Sequence, residues 1–422
     1  MRWMHTTSGP PILLCSFIVL GLSVATALGG AGEAPRKGGT LRVASVTEPA
    51  SLDAHWNLTG FTRFIADNSL EGLYTEGLDY SWIPMLAEGH TLSEDGLVYT
   101  IRLRRGVPFH HGKELTAADA VASLLRYGKL HVRGKQLFAR VESVKALDHY
   151  TLQLRLQGKT ALVLPLLGAG MIYPKEVLEE AGEGHVRTHI GTGPFKLAEL
   201  QPGRHIKLVR FEQYQARPEP PNGRGGNKTP WVDTVLVMMH IPDDRVRLAA
   251  LESGEVDLIP MRDFYDRLKA NPDLKVQIGE FGMKAMTMLN KRKGLFTHVK
   301  LRQAALAALD MDPILRATVG HPELYRLDAS LSFKDEMWWT DAGRERYNQN
   351  DPAKARRLLQ EAGYQGEPVR YMVNQDQAEM HRLALVNIEG GPKTRDPSIP
   401  RRCSTATRRP RVAARRRGRW GP

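Results

Sequence analysis

Two adjacent histidines in the run Pro108-Phe109-His110-His111-Gly112 are the first residues whose type and spacing suggest chemistry, with His131 not far along the chain. Imidazoles brought together in this way can ligate a transition metal. Neighbouring side chains on an extended backbone point to opposite faces, however, and the flanking Pro and Gly mark a turn. No metal is expected at this pair. Ser, His and Asp are all available for acyl transfer, yet the sequence holds no G-x-S-x-G, no H-E-x-x-H and no phosphate-binding glycine loop. The acid pairs Glu179-Glu180 and Asp243-Asp244 fit solvated helix or loop charges better than paired catalytic carboxylates. Trp338-Trp339 and Trp56 have flat faces that could stack on a ligand, with core packing as the plainer reading. The residue types therefore point to no catalytic set, no metal and no cofactor. The chain is not expected to be an enzyme.

The elements around these residues are legible from their periodicity. Thr40 to Val46 alternates as a strand does. Tyr99, Ile101 and Leu103 alternate with polar neighbours, as do Leu152, Leu154 and Leu156. Thr116 is placed to cap a helix through Val121, Leu124 and Leu125, with Asp119 favourable in its first turn. Asp351-Pro352 opens another, whose face of Ala355, Leu358, Leu359 and Ala362 is stopped by Gly363. A third helix, Leu301 to Leu309, is expected to end at Asp312-Pro313. The Pro/Gly/Asn-rich stretch from Arg217 to Pro230 reads as a surface loop between two strands. The body is thus mixed α/β in more than one lobe, as 422 residues allow.

A net charge of +13 suggests nucleic acid or an anionic surface until it is located. From Gly391 to Pro422 there are eleven Lys/Arg against Asp396 alone, so +10 of the +13 sits there and the rest of the chain is nearly balanced. The N-terminus has an early positive charge at Arg2 and an apolar run from Ile12 to Leu28. The small-x-small site Ala25-Thr26-Ala27 follows, with Gly32-Glu33-Ala34 as a second choice. Residues 1–27 are read as a cleaved secretory signal peptide, an uncleaved anchor being the alternative. Cys15 falls in that run and Cys403 in the basic segment, so the body between them has neither a disulfide nor a thiol nucleophile.

A series of blocks in fixed order carries a more specific signal. They are Gly38-Gly39-Thr40-Leu41-Arg42-Val43, Glu48-Pro49-Ala50-Ser51-Leu52-Asp53, Glu71-Gly72-Leu73-Tyr74, Met85-Leu86-Ala87-Glu88 and the long run from Asp95 to Leu125. Ile190 to Leu197, Leu251 to Asp257, Asn290 to Asp310 and Asp351 to Tyr364 complete the series. Over about residues 38–388 the chain resembles bacterial extracellular solute-binding proteins of family 5, the dipeptide/oligopeptide/nickel-binding components of ABC importers. The resemblance implies a two-lobed periplasmic-binding-protein clamp with an extra subdomain on the first lobe, which closes over its ligand by hinge motion. Lobe I would use 36–60 and 190–286, the extra subdomain 61–189, and lobe II 287–388.

In peptide-binding relatives the ligand lies extended and pairs with protein main chain, so side-chain identity matters little. The matching segment is Thr47 to Ser51, with backbone groups of Glu48 and Ala50 as the expected contacts and Ser51 and Trp56 beside them. The plainer alternative is that this segment is only the exit of the first strand. Gly191-Thr192-Gly193 would mark the crossover back into lobe I, its glycines suiting a tight backbone crossing. The resemblance further implies a periplasmic monomer that hands a peptide, or another small solute such as a nickel chelate, haem or sugar, to a cognate permease in the inner membrane, with no nucleic-acid partner. A signalling or chaperone-like role on the same fold is the rival class. Relatives hold the ligand's α-amino group with an acid late in the second lobe, and no matching motif is found here. From about Ile388 the apolar periodicity stops. Residues 389–422 are expected to be a basic disordered tail, either an out-of-frame product that leaves the second lobe incomplete or a basic arm for nucleic acid or anionic lipid.

Overall fold

The fold is described from a computed structural model for residues 36–57, 60–239, 241–261, 263–278, 286–334, 336, 338–373 and 378–389. The expected signal peptide and basic tail lie outside the described residues. The chain enters β1 (Thr40–Ala44), then α1 (Gly60–Ser69) and a short hairpin of β2 (Tyr74–Glu76) and β3 (Trp82–Pro84). Next come β4 (Ala87–Leu92), β5 (Val98–Leu103), α2 (Ala117–Leu130), α3 (Val132–Phe138), β6 (Val141–Ala146) and β7 (Thr151–Leu156). Two short helices, α4 (Val163–Leu167) and α5 (Lys175–Ala181), lead to β8 (Phe195–Gln201), β9 (His205–Arg210) and β10 (Thr234–Met238). The rest is helical among the described residues: α6 (Asp244–Glu252), α7 (Tyr265–Ala270), α8 (Val299–Ala308), α9 (Met311–Val319), α10 (Pro352–Glu361) and α11 (Ala378–Glu389).

One sheet has the order β1-β10-β9-β8, with β1 and β10 parallel and the other pairs antiparallel. A single parallel bridge from Val43 to Leu258 continues it beyond β1. The chain therefore leaves this sheet after Ala44 and re-enters it at Phe195. Between those points it builds a second, fully antiparallel sheet in the order β4-β5-β7-β6. The alternation seen in sequence explains that sheet. Ile101, Leu103, Leu152, Leu154 and Leu156 are all buried in one cluster with Leu124 of α2, whereas Arg102 and Arg155 face solvent. Each such side chain contributes about 1.5–3 kcal/mol by burial. The first sheet packs Val43, Ile206, Leu208, Val235 and Val237 against Ile65 of α1.

Local signals fix the helix starts. Thr116 and Asp119 form a reciprocal capping box on α2, in which the Thr116 amide donates to Asp119 Oδ2 at 2.9 Å. Asp351 Oδ1 accepts from the Lys354 amide at 2.8 Å, with Pro352 in the first turn of α10. Asp312-Pro313 behaves differently from the sequence expectation. The preceding helix ends at Ala308, and Asp312-Pro313 lies in the first turn of α9. A proline there lacks only an amide that a helix start leaves unpaired, so the dipeptide marks a beginning as readily as an end. The 217–230 loop does run between β9 and β10, but it is also stitched to the hairpin. Arg217 donates to the Met85 and Ala87 carbonyls at 2.9 and 3.0 Å, and Asn222 Oδ1 accepts from Leu78 N at 2.8 Å.

Candidate functional site

The first sheet ends at Ala44, and two more ladder bonds carry it through Ser45: its amide donates to Met238 O and its carbonyl accepts from Ile241 N, both at 2.8 Å. Beyond this the chain runs across the surface. Thr47, Glu48 and Ala50 are exposed, and the main-chain amides and carbonyls of Glu48 and Ala50 have no hydrogen-bond partner among the described residues. The chain bends at Val46, Thr47, Ala50 and Leu52, and the open polar groups between those bends are free to pair with the main chain of a ligand. The Glu48 carboxylate, by contrast, is used by the protein. Both of its oxygens accept from Gly203 N at 3.2 Å, in the turn between β8 and β9. Glu48 therefore offers its main chain outward and uses its side chain as a tether.

Residues 51–57 hold this run rigid. Asp53 is fully buried and accepts from Arg126 Nη1 and Nη2 at 3.1 and 2.7 Å, from His55 N at 2.9 Å and from Val186 N at 2.9 Å. Burial alone would raise the Asp53 pKa, but the Arg126 hydrogen bonds and the two amides outweigh it and hold the carboxyl below its ordinary value. Arg126 also donates to the Gly182 and Gly184 carbonyls, so its fork is largely satisfied. His55 Nε2 lies 2.7 Å from Met171 O, which assigns the proton to that nitrogen and leaves Nδ1 to accept from Arg126 at 3.1 Å. Burial lowers the His55 pKa to about 4, so the ring is neutral at pH 7. Ser51 Oγ accepts from Asp53 N at 3.1 Å and lies 3.1 Å from His185 Nδ1, while Ser51 O accepts from Thr62 Oγ1 of α1 at 3.0 Å. Trp56 is exposed, with its ring 4.5 Å from that of His185. It is not a core residue.

The expected crossover residues lie at the other end of α1. A Cβ on Gly191 would fall 2.1 Å from Ser69 O, and one on Gly193 only 2.7 Å from Ser69 C. The Gly193 amide donates to Ser69 O at 3.1 Å. His110 clamps the same segment: its Nδ1 accepts from Gly191 N and its Nε2 donates to Gly193 O, both at 3.1 Å. Burial takes the His110 pKa down to about 4, and that of His189, 2.7 Å from Ser69 Oγ, to about 4 as well. Thr192 donates to buried Glu71 at 2.9 Å, and Tyr214 does so at 2.9 Å from the opposite side. Burial beside that carboxylate raises the Tyr214 pKa.

Glu48, Ala50, Ser51 and Trp56 thus share one run of chain, whereas Gly191, Thr192 and Gly193 do not join them. The two groups hold opposite ends of α1, from Thr62 to Ser69, about 10 Å apart at 1.5 Å per residue. His111 points away from His110 and meets Glu176 at 3.1 Å. Among the described residues no group of three His, Cys, Asp or Glu side chains is placed to hold a metal. Asp243 is the N-cap of α6, and Trp338 is exposed. Two surface depressions, one lined by Ser93, Tyr99 and Lys159 and the other by His111, Lys196 and Phe211, lie apart from the 47–56 run. Sequence reading missed Arg126, His55 and His185. Only Arg126 left a trace, as a charge on the same helical face as Ala120, Ser123 and Tyr127.

Comparison with known proteins gives the class. Residues 81–387 match the family described as bacterial extracellular solute-binding proteins, family 5 middle. The chain belongs to that family. It is 31% identical to the probable peptide ABC transporter periplasmic-binding protein y4tO of Sinorhizobium fredii, over 72% of this chain and 59% of that protein. It therefore spans about three fifths of the length of that relative. The fold is that of MoaA from A. tumefacien R10, solved with mannopinic acid (TM-score 0.67, 24% identity, 84% of this chain and 72% of that one). It is also that of the oligopeptide-binding protein AppA of Bacillus subtilis, solved with a nonapeptide (TM-score 0.60, 24% identity, 85% and 73%). The mixed α/β architecture is that of a two-lobed periplasmic binding protein.

Proposed function

We propose that this chain is the solute-binding component of an ABC importer and takes up peptides in an extended conformation along Thr47–Ser51. The observation that carries the reading is the open main chain of Glu48 and Ala50 at the end of β1, on a segment held from below by Asp53 and Arg126. A ligand strand pairing there gains main-chain hydrogen bonds whatever its side chains are. The family, the peptide designation of y4tO and the nonapeptide in AppA support the same choice. On this reading the first lobe comprises 36–60 and 190–286, the inserted subdomain 61–189 and the second lobe the segment from 287. Gly191-Thr192-Gly193 seats the returning chain against α1. The protein acts in the periplasm after removal of its leader and delivers the peptide to a membrane permease.

A thermal-shift screen with dipeptides, oligopeptides, nickel chelates, haem and sugars tests this. A ligand that binds only the folded state raises Tm, by an amount set by its concentration over Kd. Peptides are expected to raise it and sugars to leave it unchanged. A shift confined to a non-peptide solute would reassign the cargo, and no shift with any of them would count against transport.

A further inference from the structure

The indole of Trp56 is held more firmly than an exposed side chain needs to be. Its backbone amide bonds to Asp53 O at 3.1 Å, so it stands directly on the residue locked by Arg126. One of its faces is covered by the His185 ring, 4.5 Å away and inclined by 31°. His185 is itself fixed by Ser51, whose Oγ lies 3.1 Å from Nδ1 while accepting the Asp53 amide. The backbone of that loop is pinned in turn, because Val186 N donates to Asp53 Oδ2 at 2.9 Å and Arg126 bonds the Gly184 carbonyl. Two segments far apart in sequence therefore converge to hold one ring. Even so, Trp56 keeps 48% of its surface in water.

An aromatic ring immobilised on one face and open on the other is a preformed stacking surface. Binding to it costs little side-chain entropy, because the ordering is already done by the fold. An indole face attracts planar aromatic groups and also cations, for which it is the best of the aromatic side chains. The run bearing Glu48 and Ala50 leads into Ser51, the residue that positions His185, so the backing of the ring is tied to the end of that run.

We propose that Trp56, backed by His185, is a specificity subsite that favours peptides carrying a planar side chain, aromatic or guanidinium, beside Ser51. The proposal rests on the peptide-binding reading above. It turns a carrier that reads only main chain into one that ranks peptides at a single position. Stacking on a fixed ring corresponds to about a three- to tenfold gain in affinity over an aliphatic side chain.

Titration calorimetry of the full chain with Ala-Phe-Ala, Ala-Arg-Ala, Ala-Leu-Ala and Ala-Gly-Ala tests it, the first two separating aromatic from cationic stacking. The Phe or Arg peptide is expected to bind about three- to tenfold tighter than the Leu and Gly peptides. Trp56→Ala should erase that margin, the Phe and Arg peptides losing affinity relative to Ala-Gly-Ala, Trp56→Phe should keep part of it, and His185→Ala should weaken it. Melting curves of each variant report whether the fold is intact. If Trp56→Ala does not fold, the ratio between Trp56→Phe and Trp56→Leu decides. Equal binding of all four peptides, or an equal loss for all four in Trp56→Ala, overturns the subsite and leaves peptide binding standing. Silence toward every peptide overturns both.

Discussion

The strand-bearing region up to Ile259 and the helical region from Asp263 onward use similar amphipathic signals with different outcomes. All ten strands and all four hydrophobic clusters formed by described residues lie in the first. In the second, α8 packs on α10 and α9 on α11, burying Leu301, Ala304, Ile314, Ala355, Leu383 and Ala384. Met288, Met372 and Leu331 nevertheless stay 94%, 96% and 83% exposed. An apolar face stabilises only when another layer covers it. Periodicity reports that a face exists, and the partner layer decides whether it contributes. Stability should therefore be concentrated in the first region.

The largest expected effect is at the buried ion pair. Arg126→Met leaves the Asp53 carboxylate buried without its partner and should cost about 3–5 kcal/mol in urea melts. Retention of wild-type stability would mean that the pair does not anchor the 45–57 run. Gly191→Ala comes next. Its methyl would meet the Ser69 carbonyl oxygen at 2.1 Å, backbone against backbone, and a loss of about 3 kcal/mol is expected. Gly158→Ala, with nothing within 4 Å, should stay within about 0.5 kcal/mol and serves as its control.

Acid should act on the first region selectively. His55, His110 and His189 have pKa values lowered from 6.5 to about 4 by burial, so the unfolded chain takes up protons between those values that the folded chain refuses. Their contribution is complete above about pH 6.5 and is lost as pH falls toward 4. Asp53, also lowered, adds a loss at still lower pH, below its unfolded value of about 4. Tm is expected to drop between pH 7.5 and 5, and His110→Gln, which keeps one donor and one acceptor, should flatten that slope. A flat wild-type profile would mean that these histidines do not set the acid stability. The smallest effect belongs to the helical region: Met372→Gln should change stability by less than about 0.5 kcal/mol, whereas Leu152→Ala in the second sheet should cost about 2–5 kcal/mol.

The same contrast separates the parts of the fold that are legible in sequence from those that are not. Strands with strict alternation, such as Tyr99 to Leu103 and Leu152 to Leu156, are legible because one buried face dictates a period of two. The caps at Thr116 and Asp351 are legible because they act over three residues. Asp312-Pro313 misleads because Pro fits a helix start as well as a stop. The pairings that support the candidate site are not legible, even though Arg126 itself leaves a trace on its helix face. Arg126 meets Asp53 across 73 residues and Ser51 meets His185 across 134, and no local pattern encodes such pairings. The 47–51 run itself is found only by resemblance, since an open main chain leaves no mark in side-chain pattern.

Amide hydrogen exchange along residues 45–57, with and without a saturating oligopeptide, reports whether a peptide pairs with this main chain. The amides of Glu48 and Ala50 are expected to exchange freely in the unliganded protein and become protected on binding, while those of His55 and Val186, already bonded to Asp53, change little. Binding accompanied by no protection at Glu48 and Ala50 would contradict that pairing.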